Sequence, residues 1–282
     1  MHTTYIAVED AASHLNHPDW VFIDCRFSMD QPTLKEQEYG RSHLPGAHYA
    51  HLERDLSNPE QMGKAGRHPL PDFEALVSNF SKWGIDPTVQ VVAYDDGSGA
   101  MAARLWWILR WMGHDAVAVL DGGWNAWTRA GLPLSAEIPE PSPRSFQMNP
   151  RHEWLLRANE VDAVRNRSEV CMIDARSRER FRGENETLDP VAGHIPGALS
   201  FPCTENLDAE GKVISVEALC RRFEQVLEGR SPDRLISYCG SGVTACLNLL
   251  ALKHSGLGNG RLYAGSWSEW ITDPDRPVAT GD

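Results

Sequence analysis

Four short segments of this chain recur once, in the same order. Val21-Phe-Ile-Asp-Cys-Arg26 returns as Cys171-Met-Ile-Asp-Ala-Arg176, and His43-Leu-Pro-Gly-Ala47 as His194-Ile-Pro-Gly-Ala198. Val91-Val-Ala-Tyr-Asp-Asp96 returns as Leu235-Ile-Ser-Tyr-Cys-Gly240, and Leu120-Asp-Gly-Gly-Trp-Asn-Ala-Trp127 as Tyr263-Ala-Gly-Ser-Trp-Ser-Glu-Trp270. The offsets, about 143 to 151 residues, are one domain length each. A solenoid array would repeat every ~20–50 residues, so this is a duplicated domain. Between the copies, Pro133–Pro150 is rich in proline and has no sustained apolar period, which reads as a semi-rigid linker. The expected organisation is a first domain over residues 1–134, a linker over 135–150 and a second domain over 151–282.

Within each copy, short β-rich runs alternate with amphipathic ones. Val21–Ile23, Val91–Ala93, Val170–Ile173 and Leu235–Ser237 read as strands. Asp72–Trp83 and Ser215–Leu227 read as helices, the latter opened by Ser215 with Glu217 in its first turn. The strand runs are apolar throughout rather than alternating, so both faces should be covered and the sheets largely parallel. The fold class is therefore α/β, as two tandem domains that each hold a mainly parallel sheet flanked by helices.

Charge and composition remove several function classes. The chain has 27 basic and 39 acidic side chains, a net charge of −12, and no Lys/Arg cluster, which argues against nucleic acid and anionic membrane as partners. No apolar run approaches the ~20 residues of a membrane span. The start, MHTTYIAVEDAASHL, has neither the basic end nor the apolar core of a secretion signal, so a cytoplasmic location is expected. The six cysteines, Cys25, Cys171, Cys203, Cys220, Cys239 and Cys246, include no C-x-x-C pair, so neither a zinc site nor a dithiol motif is expected. Disulfides are not expected either, and most of these thiols should be small buried apolar residues.

Cys239 has different neighbours. Leu235–Tyr238 is a strand end, Gly240–Gly242 a turn, and Thr244 onward a buried helix. Ligands of open α/β sheets bind at the carboxyl ends of strands. The N–H groups of the turn and the helix N-terminus would converge there, favouring a thiolate and holding an anion attached to the sulfur. Glycines let those amides approach without a Cβ in the way. By default such a cysteine is a core residue beside a tight turn. The other copy speaks against that, because Asp95-Asp96-Gly-Ser-Gly99 puts an acid at the matching joint. The scaffold does not require a thiol.

The two-copy plan, the paired HLPGA and HIPGA segments, the loop CGSGVTA at 239–245 and the final GSWSEW at 265–270 together resemble the tandem-domain rhodanese sulfurtransferases. The resemblance implies that Cys239 takes a sulfur atom from a small anionic donor as a persulfide and passes it to a thiophilic acceptor, with Gly240, Ser241, Gly242, Val243 and Thr244 as its cradle. A low-molecular-weight thiol, thioredoxin or cyanide would suit as acceptor, and no cofactor is expected. The loop form is similar to that of the 3-mercaptopyruvate sulfurtransferases. For that type the resemblance implies proton transfer by Ser241 with His68 and an acid, here Glu53 with Asp55 as a substitute, and a grip on the donor's anionic group by Arg180. Thiosulfate-preferring members usually carry basic side chains in the loop, whereas Gly240 and Ser241 are neutral. A second arginine usually precedes the His-Ile-Pro-Gly motif, but Glu184–Ala192 has none, leaving Arg178 or Arg182 as stand-ins. The alternatives are a thiosulfate:cyanide sulfurtransferase and a non-catalytic persulfide carrier. A cysteine phosphatase is excluded because its C-x5-R arginine would fall on Ala245, and a GxxxxGK[ST] phosphate loop lacks its lysine.

Overall fold

The computed structural model describes residues 1–140 and 142–282. They form two compact units, each built on a five-stranded sheet. In the first unit the order is β1 (Tyr5–Ile6), α1 (Val8–Ala12), β2 (Trp20–Asp24), α2 (Leu34–Arg41), β3 (His48–Tyr49), α3 (Leu52–Asp55), α4 (Phe73–Lys82), β4 (Gln90–Tyr94), α5 (Ala100–Trp111), β5 (Val117–Leu120) and α6 (Gly123–Arg129). The second runs β6 (Leu155–Leu156), α7 (Ala158–Val164), β7 (Cys171–Asp174), α8 (Arg178–Arg182), β8 (Ala198–Ser200), α9 (Val216–Leu227), β9 (Leu235–Tyr238), α10 (Thr244–His254), β10 (Arg261–Tyr263) and α11 (Ser266–Trp270). The strand orders are β1-β5-β4-β2-β3 and β6-β10-β9-β7-β8, the same permutation twice. Every strand pairing is parallel.

The central strands are buried along their whole length: β4, β7 and β9 have no exposed position, as continuous apolar runs require. α9 is capped by Ser215 Oγ, which accepts from Ala218 N at 3.3 Å, and it buries Leu219, Phe223 and Leu227 along one stripe. α10 is different, with every residue from Ala245 to Leu252 buried. A helix apolar all round belongs inside the fold, and this one starts directly after the Cys239 loop. No helix among the described residues is long and apolar enough to cross a membrane.

The recurring segments build the same scaffold in both units. At the end of β2, Arg26 grips Asp24 through Nε and Nη2 and donates to the Ser42 carbonyl at 2.8 Å. At the end of β7, Arg176 grips Asp174 and donates to the Gly193 carbonyl at 2.7 Å. The hydroxyls of Tyr94 and Tyr238 accept from Leu44 N and Ile195 N, each at 3.2 Å, tying the His-x-Pro-Gly-Ala turns to the sheets. His43 and His194 bond backbone carbonyls through Nδ1, at 2.7 and 2.8 Å. These histidines are scaffold, consistent with their presence in both copies.

The division between units is not a single cut in the chain. Pro59–Pro69 belongs with the second unit, and Ala209–Lys212 with the first. The stretch read as a linker, 135–150, falls within the first unit, with Pro141 outside the described residues. Ser135 forms a bridge with His43, Arg144 bonds Asp19 Oδ1 at 3.0 Å, and Phe146 is buried.

Candidate active site

Cys239 follows β9 directly and is 2% exposed. Its Sγ accepts from Gly242 N at 3.1 Å and from Ser241 N at 3.4 Å. Gly242 has φ +77°, and a Cβ there would run into the Ala264 carbonyl, so only glycine lets the loop turn this tightly. Val243 and Thr244 lead from the turn into α10. The strand-end turn after β10 holds the loop from the other side. Cys239 N donates to Ser266 Oγ at 3.0 Å, while Trp267 N and Ser268 N donate to the carbonyls of Cys239 and Gly240, both at 2.9 Å. Ser266 is fully buried at φ +56°, a left-handed conformation that costs a non-glycine residue about 1–2 kcal/mol.

The other cysteines are unlike this one. All six are free, but burial pushes the Cys171 thiol up to about 11 and the Cys203 thiol to about 12. Burial also raises Cys25 well above the ordinary range. Those three are buried core thiols whose surroundings disfavour the thiolate.

Two groups of side chains meet at the loop. His68 is 2% exposed, and its Nδ1 lies 2.8 Å from Ser241 Oγ, the tautomer deciding which atom donates. His68 arrives on the Pro59–Pro69 segment, which Arg67 N pins by donating to Ser268 Oγ at 2.9 Å. Arg67 arrives with it. A Cβ added to Gly240 would sit 3.4 Å from Arg67 Nη2 and 3.5 Å from Arg180 Nη2, so both guanidiniums border the residue after the thiol. Asp189 bridges them, accepting from Arg67 Nη2 at 2.7 Å and Arg180 Nη2 at 3.0 Å. Glu186 accepts from Arg180 Nε and Nη2 and reaches Arg176 Nη1 at 3.2 Å. Burial opposes the charge on Glu186, but Arg180 and the Leu188 and Asp189 N–H groups outweigh it and hold the carboxyl below its usual range.

Cys239, Ser241, His68 and Arg180 of the expected site are therefore gathered in the second unit, with Gly240 and Gly242 shaping the loop. Glu53 and Asp55 lie in the first unit, on α3, where Glu53 N donates to His51 Nδ1 at 3.2 Å and Asp55 Oδ2 accepts from His51 N at 2.8 Å. Arg178 and Arg182, the stand-ins for a second arginine, pair with Glu205 and Asp282 instead. The loop has neutral side chains, yet cations do border it, supplied from α8 and from residues 59–69. Sequence reasoning passed over Arg67, although it stands next to His68. It also passed over Ser266, which takes the place of Gly123 in the first copy.

In the first unit the equivalent turn is filled from within. The buried carboxylate of Asp95 accepts from Gly97 N, Gly99 N and Met101 N at 2.9 Å each and from Ala102 N at 3.1 Å. Trp124 N donates to the Asp95 carbonyl at 2.9 Å, as Trp267 N does to that of Cys239. Both units thus build a nest of amides at this joint, and only the second leaves it to a sulfur.

Comparison with known proteins agrees with this architecture. Residues 7–130 and 157–273 each match the family described as Rhodanese-like domain. A Pseudomonas aeruginosa protein named "Probable 3-mercaptopyruvate sulfurtransferase" is 49% identical over 278 residues, covering 98% of both chains. An Arabidopsis thaliana protein named thiosulfate/3-mercaptopyruvate sulfurtransferase 1, mitochondrial, is 33% identical over 97% of this chain and 77% of its own. The crystal structure of the 3-mercaptopyruvate sulfurtransferase of Escherichia coli superposes with a TM-score of 0.80 at 33% identity, over 95% of this chain and all of that one. The chain belongs to the rhodanese family, as a member with two rhodanese-like domains in tandem.

Proposed function

We propose that this protein is a sulfurtransferase that moves a sulfane sulfur from a small anionic donor, 3-mercaptopyruvate in preference, through a persulfide on Cys239. The observation that carries the proposal is the Cys239 sulfur receiving two backbone N–H groups, beside the Ser241–His68 pair. The thiolate attacks the donor sulfur, forming an S–S bond as the C–S bond breaks. The electron pair of that bond passes to carbon as the enolate of pyruvate. The donor's thiol proton, relayed through Ser241 and His68, converts the enolate to pyruvate and leaves the persulfide as an anion. Attack by cyanide, a low-molecular-weight thiol or thioredoxin on the outer sulfur restores the Cys239 thiolate. Gly240, Gly242, Val243 and Thr244 shape the cradle for the anionic sulfur, Arg180 binds the donor's charged end, and Glu53 assists the proton transfer. In this reading the enzyme works in the cytoplasm.

The relative from Pseudomonas supports the choice of donor. So does the charge around Gly240, where Arg67 and Arg180 face Glu186 and Asp189 and so offer no surplus for a dianion. Thiosulfate is the second reading, favoured by the two guanidiniums themselves and by the double name of the Arabidopsis relative. Steady-state rates with both donors and cyanide as acceptor test the proposal. A higher kcat/KM for mercaptopyruvate is expected. A tenfold preference for thiosulfate, ~1.4 kcal/mol in the barrier, would reverse the donor assignment. Loading once without turnover would mark a persulfide carrier.

A further inference from the structure

We propose that Ser268 is a positioning residue for sulfur transfer, its hydroxyl clasping the segment that carries His68 onto the Cys239 loop. It rests on the proton relay through Ser241 and His68. Ser268 is tied to both sides of that relay. Its backbone N donates to the carbonyl of Gly240, the residue between Cys239 and Ser241, at 2.9 Å. Its Oγ accepts from Arg67 N, one residue before His68, at 2.9 Å. The same Oγ donates to the Gly265 carbonyl at 3.3 Å, which engages its proton and leaves a lone pair for Arg67 N. The segment comes this close because residue 66 is glycine. Gly66 has φ +94°, and a Cβ there would stand 2.8 Å from the Gly265 carbonyl oxygen and 3.1 Å from Ser268 Oγ.

The first copy shows that the scaffold does not require this clasp. Trp124 N donates to the Asp95 carbonyl as Trp267 N does to that of Cys239, which aligns Asn125 with Ser268 and Asp96 with Gly240. Asn125 turns its side chain inward, Nδ2 donating to the Asp96 carbonyl at 2.9 Å. The segment that belongs with the first unit from the other copy, Ala209–Lys212, reaches the matching turn, where Lys212 Cγ is 3.2 Å from a Cβ built on Gly122. No histidine comes with it. In the second unit the backbone of Ser268 serves the Gly240 carbonyl, and the hydroxyl is left to hold a segment that brings a proton-transfer group.

The experiment compares the full-length protein with Ser268→Ala, Ser241→Ala, the double variant and Gly66→Ala. It measures kcat and KM for 3-mercaptopyruvate with cyanide as acceptor, and hydrogen exchange at the Arg67 amide. Loss of one neutral hydrogen bond that places a proton-transfer group should lower kcat by about three- to tenfold in Ser268→Ala, with KM within about twofold of wild type. In the Ser241→Ala background the relay is already cut, so adding Ser268→Ala should cost less than about twofold. Gly66→Ala pushes the segment away from the other side and should repeat the pattern with a loss of about tenfold or more. An equal loss from Ser268→Ala in both backgrounds would overturn the proposal, because Ser268 would then support the loop alone. So would a loss confined to KM, or a kcat within about twofold of wild type. Absence of mercaptopyruvate turnover in the wild type would instead sink the relay reading, and the Arg67 amide would decide. Exchange faster by about tenfold or more in Ser268→Ala would support the clasp, and unchanged exchange would overturn it. If Ser268→Ala does not fold, Gly66→Ala decides by the same comparison.

Discussion

Replacing Ser241 by alanine separates the two jobs of the Cys239 loop. The Ser241 N–H that points at the sulfur belongs to the backbone and survives the change, whereas the Oγ that meets His68 Nδ1 at 2.8 Å is lost. Both partners are buried, Ser241 at 9% and His68 at 2% exposure. Removing one member of a buried hydrogen bond costs about 1–3 kcal/mol. Where that bond is needed in the transition state, the rate falls by about five- to a hundredfold, at ~1.4 kcal/mol per factor of ten. Mercaptopyruvate needs it, because its leaving carbon must be protonated. Thiosulfate does not, because sulfite departs as an anion without a proton. The assay is kcat/KM for both donors, with cyanide as acceptor in one buffer. Ser241→Ala should reduce the mercaptopyruvate value by about five- to a hundredfold and the thiosulfate value by less than about threefold. An equal fall for both donors would refute the reasoning and would place Ser241 in support of the sulfur itself.

Ser266 combines a left-handed backbone with a hydroxyl that accepts from Cys239 N, so two substitutions divide its roles. Ser266→Ala keeps the strain and loses the bond. Ser266→Gly loses the bond but relieves the strain, so denaturant unfolding should find the glycine variant more stable than the alanine one by about 1 kcal/mol. The reverse order would show that the φ of +56° is not a strained position. A fragment beginning at Arg151 lacks Arg67 and His68, which belong with the second unit. It is expected to turn over mercaptopyruvate at least about a hundredfold less efficiently than the whole chain, from loss of the proton-transfer group His68. Full activity in that fragment would remove residues 59–69 from the mechanism.

The parts of this molecule that the sequence makes legible are those set by local chemistry. Two copies of an apolar strand, an Asp-x-Arg end and a His-x-Pro-Gly-Ala turn announce two parallel sheets, because each pattern is short and forms its own contacts. Cys239 stands out for the same reason: its two N–H donors come from the next three residues, so glycine spacing alone points to the nest. His68 reached the site only through a family likeness, and Arg67 beside it was missed. Their segment lies within the first sequence copy yet belongs with the second unit, and its partner Asp189 is 122 residues away in the chain. No local period encodes a pairing of that kind. The choice among Arg178, Arg180 and Arg182 was also out of reach without a family match, since it depends on how α8 is rotated about its axis. In the fold, Arg178 and Arg182 pair with Glu205 and Asp282, and Arg180 is turned toward Gly240.

The central claim is that the sulfur travels on Cys239. Protein treated with 3-mercaptopyruvate in the absence of acceptor, then digested with trypsin, should yield the peptide from Leu235 to Lys253 heavier by about 32 Da, one sulfur atom. That peptide contains both Cys239 and Cys246, so fragment ions must place the mass. The account predicts it on Cys239, with removal by cyanide and absence from Cys239→Ser together with turnover. Added mass on Cys246, or on Cys203 or Cys25 elsewhere in the chain, would contradict it.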